Sequence, residues 1–228
     1  MATVPWPHQL GAASADCGPI MLWTRALTQD PAARYTFQAD SDTTEWHGSG
    51  DRILEGTITV DGSRIGSIVG LGATGWAAVA ILSAAECSEE GASQQRPVRI
   101  AISGTVPNEL PVQRTSGRAY LWAAYQALRH AMAPGKIVTD YEGLLEGIRR
   151  GRAWTLRAAS AHADVWRLIW GKLDDFGGEE AWSFGKVKAH LSSEARGKLR
   201  GEPLLEVLGN EEADRLAKAQ ARTHVWLL

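Results

Sequence analysis

The chain has 228 residues, 44% of them hydrophobic and 22% charged, with a net charge of −2 at pH 7. That describes one ordinary domain with extensions, or at most two small ones, and it excludes a disordered or collagen-like chain. Two cysteines, Cys17 and Cys87, exclude a disulfide framework and a CxxC zinc site. No apolar run reaches the roughly 18 residues needed to span a bilayer. The N-terminus lacks the basic-then-apolar order of a secretory signal, so an intracellular compartment is expected and secretion is not.

Residues 1–50 show little periodicity and carry Pro, Gly, Asp and Thr clusters, so they read as an irregular leader. A folded domain is expected over 51–222 and a short tail over 223–228. Residues 54–60 (LEGTITV) alternate and are rich in β-branched side chains, which predicts a strand ending at Asp61-Gly62-Ser63. Residues 75–82 (GWAAVAIL) predict a buried strand and 98–103 (VRIAIS) a third, with a Gly- and Glu-rich turn before it. These three suit an antiparallel meander.

The period then changes. Leu121, Ala124, Tyr125, Leu128 and Met132 fall at i, i+3, i+4, i+7 and i+11, which predicts an amphipathic helix over 116–133, ended by Pro134-Gly135. Residues 136–139 (KIVT) predict a strand ending at Asp140, followed by a helix through Arg150. A helix over 159–173, a fifth strand over 184–188 ending before His190, and a closing helix over 210–221 complete the order β-β-β-α-β-α-α-β-α. The fold class is therefore α/β, with a five-stranded mixed sheet flanked by helices. Most of the ten tryptophans are expected in the core.

Two runs are basic. Residues 147–157 hold four arginines and no acid, and 185–200 hold five Lys/Arg against Glu194 alone. Solvated surface and phosphate contact both accommodate them.

The acids carry the chemistry. Asp61 closes the first strand, Asp140 closes the fourth, and Asp214 falls in the first turn or so of the last helix. Strand ends and helix starts of an open α/β sheet gather at one edge, where ligands bind. Three carboxylates there repel one another unless a cation compensates, and an all-oxygen donor set favours Mg²⁺ or Mn²⁺ over zinc. Two such ions about 4 Å apart activate a water and stabilise the leaving oxygen of a phosphodiester. Taken singly, each Asp fits a turn or a solvated helix position; the combination in this order carries the argument.

The spaced motifs resemble the type 1 ribonuclease H family. V-D-G-S at 60–63 looks like its first strand, G-W-A at 75–77 its second, and Q-R-T-S-G-R-A-Y-L at 113–121 the start of its first helix. V-T-D at 138–140 with Gly147-Ile148, V-K-A-H at 187–190 and G-N-E-E-A-D-R-L-A at 209–217 resemble its later motifs. The match runs over 54–221 and is most similar to domains of retroelement polyproteins. The resemblance implies a ribonuclease H-like fold, with three antiparallel strands followed by parallel ones. It also implies an endonuclease that hydrolyses the RNA strand of RNA–DNA hybrids with Mg²⁺, or Mn²⁺, as metal. On that basis Asp61 bridges both ions, Asp214 holds the water-activating ion, and Asp140 the ion beside the leaving group. His190, on a flexible loop, serves water entry or product release. Ser63, Tyr120, Asn210 and Lys188 lie near substrate, with Asn210 capping the last helix.

One departure matters. The family's second carboxylate is the glutamate of R-A-E-L, and here Tyr120 stands in its place. A neutral phenol, with a pKa of about 10, is a poor Mg²⁺ ligand. Glu142 and Glu109 are the nearest acids, and neither is in register to replace it. The segment 191–208 before the last helix is a second departure, either contacting the hybrid through its Lys and Arg or forming a mobile loop. The alternatives are therefore an active ribonuclease H and an impaired module that binds nucleic acid or serves a structural role. A DNA-cutting transposase or exonuclease is disfavoured by the D-G-S and K-A-H signatures.

Overall fold

Small and β-branched side chains dominate the central strands, and helices cover both faces of the sheet they form. The computed structural model describes residues 44–49, 51–66, 73–83, 97–106 and 115–223. Its strands are β1 (Glu45–His47), β2 (Thr57–Ile65), β3 (Ala73–Ile81), β4 (Val98–Thr105), β5 (Lys136–Thr139) and β6 (Ser183–Lys186). They make one sheet in the order β1-β4-β3-β2-β5-β6. β1, β4, β3 and β2 pair antiparallel in turn, and β5 and β6 continue parallel to β2. This mixed α/β sheet is the expected architecture.

The strand ends and edges differ from expectation in two places. β2 does not stop at Asp61-Gly62-Ser63, because those residues pair with Ala77, Trp76 and Gly75 of β3. Ladder pairing overrides the local turn preference of Asp-Gly-Ser. A sixth strand, β1, lies inside the span expected to be an irregular leader. It covers the outer edge of β4, whose backbone groups otherwise lack partners, and Trp46 packs against the core. The rest of that leader, the turn before β4 and residues 224–228 lie outside the described residues.

The helices are α1 (Ser116–Arg129), α2 (Glu142–Arg150), α3 (Arg152–Thr155), α4 (Ala163–Asp175), α5 (Ser193–Gly197) and α6 (Glu202–Thr223). α1 ends short of the predicted Ala133. There the chain turns out to meet Leu54, whose N–H donates to the His130 carbonyl, and Met132 is left exposed. α6 begins two turns before the predicted start, because Leu205, Val207 and Gly209 are buried on the same helix as Ala213, Leu216 and Ala217. Part of the supposed loop 191–208 is therefore helical.

β3 is buried at every position, as a strand covered on both sides must be. Trp76, Ala78 and Ala80 face α1 and α4 through Leu121, Ala124, Leu128, Ile169 and Trp170. Ala77, Val79 and Ile81 face α6 through Leu205, Ala213, Leu216 and Ala217. Of the tryptophans among the described residues, Trp76, Trp166, Trp170 and Trp182 are buried, while Trp46, Trp122 and Trp154 are half-buried. The indole N–H groups of Trp76 and Trp170 donate to the Thr105 carbonyl and the Thr155 hydroxyl, at 3.0 and 2.7 Å, so burying these rings leaves neither donor unpaired.

Two glycines set the helix distances. A Cβ on Gly62 would lie 2.2 Å from the Tyr120 backbone nitrogen, and one on Gly75 would lie 2.2 Å from the Ala217 carbonyl oxygen. α1 and α6 thus touch opposite faces of the sheet where no side chain intervenes. Gly75→Ala is expected to destabilise the fold by about 2–3 kcal/mol through overpacking, read as a lower urea midpoint at unchanged slope.

Candidate active site

β2 and β5 run parallel through Thr59↔Val138 and then part. β5 turns its last residue to β6, pairing Thr139 with Lys186. Carrying the β2–β5 register two residues further sets Asp61 level with Asp140, on either side of the opening. Asp61 is therefore inside β2 rather than at its end, with Asp140 just past the end of β5.

Asp61 is only 2% exposed. Its Oδ1 accepts the Gly62 N–H at 2.8 Å. Burial pushes its pKa up to about 7 from an ordinary value of 3.8; the charges of Asp140 and Asp214 push the same way, while bonds from Tyr120 and the Gly62 N–H oppose them. The two other aspartates therefore act electrostatically on Asp61. Asp140 has its Oδ1 buried with no hydrogen-bond partner.

Tyr120 enters this opening from α1, on the turn that Gly62 holds against β2. Its hydroxyl lies within reach of Asp61 and Asp140, with one proton to donate to either. Burial first, then the two carboxylates, push its pKa far above the phenol range, so it stays neutral. Its ring stacks on Tyr141, with centroids 4.7 Å apart and planes 17° from parallel. Asp214 lies in the middle of α6, a correction to the expected first-turn position that follows from the earlier helix start. It bonds Lys218 Nζ, one turn on, at 2.7 Å. Lys218 and Tyr141 are the site residues that sequence reasoning missed. The i, i+4 spacing of Asp214 and Lys218 was a usable signal; Tyr120 and Tyr141 sit on different elements and had none.

The remaining predicted residues are placed as follows. His190 is exposed between β6 and α5 with a left-handed backbone, φ 49°, and the bonds to Asp61 come instead from Gly62 and Tyr120. Lys188 is exposed, and Ser63 is half-buried on β2 opposite Gly75. Asn210 is buried inside α6 with its Oδ1 unpartnered. It does not cap the helix, again because α6 starts at Glu202. Glu142 pairs with Lys186 in the first turn of α2, which occupies it away from the aspartates. Glu109 lies outside the described residues.

The basic runs are largely matched by acids from other stretches. Arg149 and Arg150 both bond Glu146, Arg152 bonds Asp174 and Arg196 bonds Glu211. Arg150 and Arg157 flank the ring of Trp154 at 4.7 and 4.5 Å.

Whether this site suits a divalent cation is judged from its donors. Buried Asp61, whose pKa is raised, and half-buried Asp140, whose Oδ1 is shielded and unpartnered, form an oxygen-only pair of the kind Mg²⁺ or Mn²⁺ accepts. Among the described residues no three His, Cys, Asp or Glu side chains form a ready cation cage. Asp61 and Asp140 thus fit one hard cation, while Asp214 is engaged by Lys218.

No family model and no curated protein matches the chain. Solved structures do. The solution structure of the prototype foamy virus ribonuclease H domain aligns over 75% of this chain and 96% of that one, with a TM-score of 0.51 and 19% identity. The foamy virus protease–reverse transcriptase in complex with RNA/DNA hybrid aligns over 77% of this chain and 22% of that one, at TM-score 0.49 and 15% identity. LC9 RNase H1, a type 1 enzyme with the type 2 active-site motif, aligns over 76% of each chain, at TM-score 0.47 and 16% identity. On the first of these matches, the chain has a ribonuclease H-like fold.

The raised pKa of Asp61 has a signed consequence for stability. Between pH about 4 and about 7 the folded chain holds a proton on Asp61 that the unfolded chain releases. Stability then falls as pH rises, by at most about 1.4 kcal/mol per pH unit from this group. In the presence of chelator, urea denaturation across that window is expected to show a steeper decline for the native chain than for Asp61→Asn.

Proposed function

We propose that this chain is a ribonuclease H-type nuclease that hydrolyses the RNA strand of RNA–DNA hybrids in a metal-dependent reaction, slowed by Tyr120. The observation that carries the reading is the alignment of Asp61 and Asp140 across the parting of β2 and β5, with Asp214 acting electrostatically on Asp61 from α6. Asp61 and Asp140 would hold the metal. When bound, Mg²⁺ or Mn²⁺ supplies an activated water and stabilises the leaving oxygen. Asp214 would join them on release from Lys218. Exposed His190 and Lys188 lie beyond β6, where a hybrid or its product would pass. An origin in a reverse-transcriptase polyprotein belongs to the same reading and rests on the spaced motifs.

A second reading, a module that binds hybrid without cutting it, is favoured by two specific contacts. Tyr120 stands beside two of the carboxylates and Lys218 bonds the third, so groups of the chain itself compete with a cation for all three acids.

Cleavage of an end-labelled hybrid separates the two readings. The native chain is expected to cut slowly with Mg²⁺ or Mn²⁺. Tyr120→Glu restores a carboxylate and should raise the rate about 10- to 100-fold, and Asp61→Asn should abolish it. If native and Glu chains are both inert yet retain the hybrid, the binding module is correct. Cleavage that survives Asp61→Asn would remove the metal assignment.

A further inference from the structure

Tyr120 is more than an absent ligand. A glutamate replaced by a small or flexible side chain would leave an open gap between Asp61 and Asp140. Here the gap is filled by a neutral phenol with its hydroxyl toward both carboxylates. Its backbone is fixed by contact with Gly62, immediately after Asp61. Its ring is backed by Tyr141, immediately after Asp140. Tyr141 is itself wedged. A Cβ on Gly117 of α1 would lie 2.5 Å from the Tyr141 hydroxyl, and one on Gly143 of α2 would lie 2.3 Å from its Cζ. The Tyr141 N–H donates to Thr139 Oγ1 at 3.1 Å, which fixes its backbone to the end of β5. Each tyrosine is therefore anchored beside one of the aspartates, and the two rings meet face to face.

We propose that Tyr120 and Tyr141 form a latch on the carboxylate pair, in which the Tyr120 hydroxyl takes the place between Asp61 and Asp140 that a divalent cation needs, and Tyr141 is the positioning residue that holds it there. Admission of the cation then requires Tyr120 to leave both carboxylates and unstack from Tyr141. A hydroxyl held beside the carboxylate pair, able to donate its one proton to either acid, stabilises the cation-free state, so the latch lowers cation affinity without altering the acids themselves. This inference rests on the reading of Asp61 and Asp140 as a metal site.

The test is a Mn²⁺ titration of the full chain, following the signal of free Mn²⁺ by electron paramagnetic resonance, with thermal unfolding to verify each variant's fold. Tyr120→Phe keeps the ring and removes the hydroxyl, and it should bind Mn²⁺ about 10-fold more tightly than the native chain. Tyr141→Leu removes the stack and should tighten binding about 3- to 10-fold. Tyr141→Phe keeps the stack and should bind as the native chain does, an outcome that a general loosening of the fold would not give. Titration with Mg²⁺ of the native chain carrying ring-labelled tyrosine, of which it has four, should move the Tyr120 and Tyr141 resonances together.

If Tyr120→Phe binds Mn²⁺ no more tightly than the native chain while Asp61→Asn loses binding, the latch is wrong and the metal site stands. Weaker binding by Tyr120→Phe would make the phenol a ligand and likewise overturn the latch. If Asp61→Asn binds as the native chain does, the metal site itself fails and the latch with it. Should Tyr141→Leu not fold, Tyr120→Phe and the ring resonances decide.

Discussion

A carboxylate held out of water at the parting of β2 and β5, Asp61 with Asp140 level beside it, is the constraint from which the rest of the site follows. Burial opposes the ionisation of Asp61, and the charges of Asp140 and Asp214 add to that opposition. The protein answers with partners of its own: a proton retained on Asp61, the Tyr120 hydroxyl turned to both acids, and the Lys218 ammonium on Asp214. Each of the three is a group with which a cation would compete, the premise shared by the proposed metal site and the proposed latch.

The layers of the fold put those partners where they are. β2 reaches Asp61 deep in the sheet because its ladder with β3 continues to Ile65. Gly62 and Gly75 then let a helix close on each face, so that α1 delivers Tyr120 and α6 carries the middle of its length, with Asp214, across the strands. The packing of the core and the placement of the acids are one problem. A side chain added at Gly62 would push α1 away and take the Tyr120 hydroxyl with it.

The surface charge is arranged with less emphasis on nucleic acid than the basic runs imply. Arg149, Arg150, Arg152 and Arg196 each have an acidic partner from outside their own run, and the Trp154 ring is flanked by Arg150 and Arg157. Exposed ion pairs contribute little to stability, but they lower the positive potential that steers a phosphate backbone. Lys188 and His190 are exposed beyond β6, on the side of the strand end that bears Asp140.

The order of strands and helices, the buried strand β3 and the amphipathic α1 were determined by the sequence itself, because side-chain periodicity is local and records which faces are covered. The proposal of the three aspartates came from their places at strand ends and on the last helix, and the resemblance to a known family added that an acid is expected where Tyr120 stands. Tertiary structure decided what lies at longer range. The continuation of β2 through Asp-Gly-Ser came from pairing with β3, the edge strand β1 from the open side of β4, and the early start of α6 from burial of Leu205 and Val207 against the rest of the fold. The company of the aspartates was decided there as well. Tyr120 and Tyr141 stack although they belong to different elements. Asn210 is a buried helix residue rather than a cap, and the arginine runs are matched by acids elsewhere in the chain. Periodicity reports a residue's own face, whereas contacts between faces depend on distances that only the assembled sheet sets.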